Sequence, residues 1–136
     1  MSITLTDQDK ITLRTAAYGA VSLLAAAGAA GSPHKVATEG SIALASATGL
    51  VGHVLAEKKT GMNLNGKSVA ELADRVLPAL TAAMSLLNRQ DPAEADNFRS
   101  TVLVAIEAAA RTHQGQPSDP TVADMARKIT AALDAA

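Results

Sequence analysis

The 136-residue chain contains no cysteine. Disulfides and thiolate metal sites are therefore excluded, and the composition fits a reducing compartment. Tryptophan is also missing, and Phe98 and Tyr18 are each the only residue of their kind. A core so poor in rings must be filled by small side chains, and its helices must approach closely to reach normal packing density. Runs that alternate apolar with polar residues are lacking, so a sheet has little to start from. No charge run exceeds Glu57-Lys58-Lys59, and 12 Lys and Arg against 13 Asp and Glu leave a net charge of −1. That balance offers no basic footprint for nucleic acid or for an anionic membrane. Polar residues open the chain, with Asp7 and Asp9 ahead of the first apolar stretch, so no signal peptide is expected and the cytoplasm is the default location. The uncharged stretch from Thr15 to Pro33 approaches the length of a membrane span. It is mostly Ala and Gly, however, with Tyr18, Ser22 and Ser32 interrupting it, and no membrane span is expected.

What the chain has in excess is alanine, 30 residues in all. Alanine is the strongest helix former. The reading is all-α, one domain over residues 1–136 built as a bundle of about five helices, long enough to bury about two thirds of the surface of its unfolded form. The first helix is capped at Thr4 or Thr6, carries Asp7 and Asp9 in its first turn, and buries Leu13, Ala17, Ala20, Val21, Leu24 and Ala27. Ser32-Pro33 starts the next, whose face is Val36, Gly40, Ala43, Ala47, Leu50, Val51 and Val54, with Lys35, Glu39, Ser46, His53 and Glu57 behind. The spacing leaves open whether residues 33–59 form one helix broken near Gly40 or two, and Gly49 and Gly52 are read as admitting a neighbouring backbone. Ser68 with Glu71 makes a capping box for a third helix bearing Val69, Leu72, Ala73, Val76, Leu77, Leu80, Ala83, Met84 and Leu87, with Pro78 on its wet face. The fourth helix, residues 92–113, has the sharpest start: Asp91 as cap, Pro92 at its first position, and Glu94 closing an Asp-x-x-Glu box. Phe98, Val102, Ala105, Ile106 and Ala109 share its stripe and Leu103 and Ala110 widen it, so it is expected to be the hub of the core. Asp119-Pro120 starts the last helix, with Val122, Met125, Ala126, Ile129 and Leu133 on one side.

One motif has a chemistry attached. Gly61-Met62-Asn63-Leu64-Asn65-Gly66-Lys67-Ser68 satisfies the phosphate-loop spacing, in which loop amides cradle phosphate, Lys67 reaches its terminal oxygens and Ser68 holds magnesium. Such a loop works between a buried strand and a helix, and no strand precedes it here. A simpler account has Gly61 as a helix stop, Gly66 as a turn and Ser68 as a cap. Gly61, Gly66, Lys67 and Ser68 are thus the candidate nucleotide-binding residues of an alternative reading. His34, His53 and His113 lack the spacing of metal ligands on one helix, and no metal or cofactor is expected. The carboxylates Glu94, Asp96 and Glu107 could meet across the bundle, but capping and solvation account for them. Asp96, Asn97 and Arg99 surround the single Phe and are the candidate contacts to a partner.

Three segments, Leu5 to Lys10 continuing into Leu13 to Val21, Val76-Leu77-Pro78-Ala79-Leu80, and Asp96-Asn97-Phe98-Arg99 running into Val102-Leu103, together resemble a group of small uncharacterised helical proteins of actinobacteria. The resemblance spans most of the chain and implies a helical fold with no activity attached. The final helical pair is distantly similar to tellurite-resistance TerB-like domains, in which an Asp-Gly turn and an acidic helix start are associated with metal. Gln114-Gly115-Gln116-Pro117 stands here in place of the acidic turn. The expectation is a soluble interaction or structural module, binding a protein partner or a second copy of itself, rather than an enzyme.

Overall fold

The structure, a computed structural model, describes residues 5–27, 42–44, 49–56, 68–110 and 120–136. They are helical almost throughout, and no strand occurs among them. The elements are α1 (Asp7–Ala27), α2 (Gly49–Ala56), α3 (Val69–Gln90), α4 (Pro92–Ala110) and α5 (Pro120–Asp134), with residues 42–44 also helical. The fold is all-α. No helix among the described residues is long and apolar enough to cross a membrane.

Thr6 starts α1. Its Oγ1 accepts from the Asp9 N–H at 3.0 Å, and the Asp9 carboxylate accepts from the Thr6 N–H at 3.0 Å, a reciprocal capping box. From Leu13 to Ala25 every residue of α1 is buried except Thr15 and Ser22, which are half-buried. Ala16, Ala17, Gly19 and Ala20 present almost no side chain, so neighbouring helices come close on several sides at once. This corrects the sequence expectation about the hub. Over residues 92–108 of α4, Ala95, Phe98, Val102, Ala105 and Ile106 are buried, a single stripe, while Leu103 is half-buried and Val104 is 56% exposed. The centre is α1, because a helix with no charge after Arg14 can be surrounded by protein and the mixed α4 cannot.

The third helix follows the expected pattern closely. Ser68 caps it through a hydrogen bond from the Glu71 N–H to its hydroxyl at 3.2 Å. Leu72, Val76, Leu80, Ala83, Met84 and Leu87 are buried, and Pro78 lies on the exposed face without ending the helix. Asp91 is a one-residue corner serving two helices. Its N–H donates to the Leu87 carbonyl at 2.6 Å, closing α3, while its carboxylate accepts from the Ala93 N–H at 3.0 Å, opening α4. On α5, Met125, Ile129 and Leu133 are buried as the spacing requires.

Each of α1, α3, α4 and α5 touches the other three, so these four helices form a mutually packed core. Among the described residues α2 touches only α1 and α4, against which its Val51, Val54 and Leu55 extend the same hydrophobic core. At Gly49 the close neighbours are the side chains of Glu94 and Asn97, not the neighbouring backbone expected from the sequence. Gly49, the first residue of α2, sits at φ +74°, a left-handed conformation that favours glycine. Gly40 lies outside the described residues.

Phe98 is fully buried and is the largest side chain with that status. Phe98→Ala is expected to lower the unfolding free energy in urea by about 3–5 kcal/mol, whereas Val104→Ala, on the opposite face of α4, should change it by less than about 0.5 kcal/mol. Equal effects at the two positions would contradict the assignment of faces.

Candidate functional site

The most specialised polar chemistry of the chain surrounds α2. Eight residues make about two turns, so most of its backbone N–H and C=O groups lie in the end turns where a helix cannot satisfy its own hydrogen bonds. Val51, Val54 and Leu55 are buried and His53 is exposed, so one face of α2 is dry. The ends are completed by side chains from other helices.

At the amide end stands Glu94 of α4. Its Oε2 accepts from the Val51 N–H at 3.4 Å and from the Asn97 side-chain amide at 3.4 Å. The sequence reading placed Glu94 in a box with Asp91; the structure sends its carboxylate across to α2 instead, where a negative charge favours a helix N-terminus. Gly49 is needed here for a second reason. A Cβ on it would lie 3.1 Å from Glu94 Oε1 and 3.3 Å from Asn97 Nδ2, closer than most side chains tolerate.

At the carbonyl end stand Arg14 and Tyr18, four residues apart and therefore on one face of α1. Arg14 Nε donates to the Val54 carbonyl at 3.0 Å and the Tyr18 hydroxyl to the Leu55 carbonyl at 2.8 Å. Arg14 is only 5% exposed. A guanidinium so buried is tolerable where it is hydrogen-bonded and faces the negative end of a helix dipole. Opposite charges thus bracket α2 along about 12 Å of helix axis, each at the end that favours it. Burial pushes the Tyr18 phenol above its ordinary value, and the Arg14 charge opposes that only in part.

Neither Arg14 nor Tyr18 was singled out from the sequence. The available signal was their i, i+4 spacing in a helix whose other residues after Lys10 are all small or apolar, which puts two long donors on one buried face. The candidate partner contacts Asn97 and Arg99 are engaged within the chain: Asn97 supports Glu94, and Arg99 pairs with Asp134 of α5 at 2.8 and 3.4 Å. That hydrogen bond and the Arg99 charge hold the Asp134 carboxyl below the ordinary carboxylate range. Asp96 is exposed. The Thr81 hydroxyl of α3 donates to the Ala132 carbonyl at 2.7 Å, so the end of α5 is also fastened by its neighbours.

Of the phosphate-loop candidates, Gly61, Gly66 and Lys67 lie outside the described residues, as do His34, His113 and the 114–117 turn. Ser68 is exposed, with its hydroxyl bound to the first turn of α3. Glu94, Asp96 and Glu107 do not converge, since Glu94 turns to α2 while Asp96 and Glu107 are exposed. No group of three or more His, Asp or Glu able to hold a metal occurs among the described residues. An open depression of about 470 Å³ is lined by Ala126, Arg127, Thr130, Ala131 and Asp134, all from α5. Its one carboxylate is the partner of Arg99. Chemically, then, the arrangement around α2 recognises a helix backbone: donors for its carbonyl end, an acceptor for its amide end, and an apolar floor between.

Tyr18 makes this arrangement testable through pH. Between the ordinary phenol value near 10 and the raised folded value, the folded chain keeps a proton that the unfolded chain has lost. The contribution of the phenol is whole below pH 10 and declines as pH rises through the folded value. Tyr18→Phe is expected to cost about 1 kcal/mol at pH 7, and the gap between wild type and variant in urea titrations should narrow above pH 10. A gap that is constant with pH would contradict the raised value. The chain matches no protein-family model, no curated protein and no solved structure.

Proposed function

We propose that the chain is a protein-interaction module that associates with a second copy of itself, rather than a catalyst, and that it acts in the cytoplasm. The observation that carries this reading is the use of Arg14, Tyr18 and Glu94, three polar side chains from two helices, to grip the backbone ends of a third. Groups arranged in this way select a helix by its length and direction. The packing of α1 through Ala16, Ala17, Gly19 and Ala20 supports the same reading, because a chain rich in small residues forms close helix-to-helix contacts readily. The likeness to small helical proteins of actinobacteria belongs to the proposal but brings no activity with it.

The alternative, nucleotide binding through Gly61, Gly66, Lys67 and Ser68, gives Ser68 the task of holding magnesium. Against it stands the use of the Ser68 hydroxyl as the cap of α3.

Sedimentation velocity on the full chain, paired with thermal melts with and without magnesium ATP, separates the two. The proposal expects the sedimenting mass to rise from the 13.8 kDa of one chain toward twice that value as concentration increases, with a melting temperature indifferent to nucleotide. A single-chain mass at every concentration, together with a nucleotide-dependent rise in melting temperature, would replace this reading with the phosphate-loop one.

A further inference from the structure

The contact pattern divides the described helices into two classes. α1, α3, α4 and α5 touch one another in every pairing, so each is held by at least three neighbours. Among the described residues α2 is held by two, α1 and α4, and every pairing among the other four helices is made without it, although its Val51, Val54 and Leu55 pack into the same hydrophobic cluster. It is also the shortest of the five, at eight residues, well below the length at which a helix persists alone in water. Gly52 in its interior weakens it further. What keeps it helical is the floor beneath Val51, Val54 and Leu55 and the polar grip at its two ends.

From this we infer that α2 is a docked helix occupying a receptor groove between α1 and α4, that it undocks while the four-helix core stays folded, and that the vacated groove takes the α2 of a second copy. This rests on the self-association reading above and names the surface responsible for it. The groove is selective for such an occupant in three ways. Its donors, Arg14 and Tyr18, and its acceptor, Glu94, lie at opposite ends, so a helix entering in reverse would set its carbonyls against a carboxylate and its amides against a guanidinium. The distance between the ends suits about two turns. The approach of Glu94 and Asn97 to within 3.1 and 3.3 Å of a Cβ position at Gly49 demands a residue without a side chain at the start of the occupant. The α2 of a second copy satisfies all three and makes the same contacts in trans as in cis. Docking in cis has the advantage of a high effective concentration, so exchange between copies is favoured as the protein is concentrated. When each copy lends its α2 to the other, the assembly closes as a two-fold dimer.

Two measurements test this on the full chain. Native-state hydrogen exchange at low protein concentration reads undocking directly. The backbone amides of Val54 and Leu55 are expected to be protected at least about 100-fold less than those of Leu23, Leu24 and Leu80, because they open without the core. Equal protection at all five would mean that α2 leaves only when everything unfolds, and the inference would fall whatever the oligomeric state. The second measurement is complementation followed by sedimentation velocity and circular dichroism. Val54→Asp spoils α2 as an occupant but leaves the groove; Arg14→Glu spoils the groove but leaves an intact α2. Each variant alone should be helical and monomeric at concentrations where wild type dimerises, and an equimolar mixture should sediment as a dimer. Global unfolding of Val54→Asp would overturn the claim that the core stands without α2. A Val54→Asp chain that dimerises like wild type, or a mixture that stays monomeric, would place self-association on another surface. Wild type that is monomeric throughout would defeat the self-association reading itself, while the exchange measurement still decides whether α2 undocks.

Discussion

The ends of a short helix cost more than its middle returns. Four amides at one end and four carbonyls at the other lack partners within any α-helix, and in α2 these end groups are most of the backbone. A peptide of that length would remain unfolded in water. Its helical state therefore depends on groups brought from elsewhere, with Arg14 and Tyr18 donating at one end and Glu94 accepting at the other. Those three residues stand 37 to 43 positions from their partners in the sequence. They meet α2 only after α1 and α4 have packed. The order of dependence runs from the four-helix core to the grip, and from the grip to α2.

The core itself follows from composition. With one Phe, one Tyr and no Trp, large side chains cannot fill a wide space between helices. Ala16, Ala17, Gly19 and Ala20 remove the need by letting α1 sit close to its neighbours. Such packing gains dispersion contacts through proximity rather than bulk. Phe98, fully buried on α4, fills the largest single volume in the arrangement. The same recourse to neighbours recurs at α5, where Thr81 meets the Ala132 carbonyl and Arg99 meets the Asp134 carboxylate. Helix ends in this protein are completed across the bundle as well as by local caps.

The parts of the fold set by local sequence were legible in it. Ser68 before Val69, Asp91-Pro92, and the spacing of Leu72, Val76, Leu80 and Leu87 each carry their physical cause within one or two turns, and the helices begin and bury as that spacing demands. The identity of the central helix was harder to read. Capped ends and branched apolar residues drew attention to residues 92–113, whereas α1 announces its position by a lack of charge after Arg14 over a run of small residues. The grip on α2 was not read at all. Arg14 and Tyr18 resemble surface residues on a helical wheel until another helix is laid over them, and Glu94 has a sufficient local explanation as a capping residue. Tertiary capping leaves little local trace, because donor and acceptor belong to different segments and neither is unusual in its own.

The central claim is that the two ends of α2 are held as one unit by side chains of different helices. A double-mutant cycle between Tyr18→Phe and Glu94→Gln, read as unfolding free energy in urea, tests it most directly. The two side chains sit at opposite ends of α2 and touch different atoms of it, so coupling between them must pass through the docked helix. The account predicts that the double variant loses less stability than the sum of the single losses, by about 0.5 kcal/mol or more, because a helix already loosened at one end gains less from the other. Losses that add to within about 0.3 kcal/mol would contradict it, and would reduce the grip to two independent hydrogen-bonding sites.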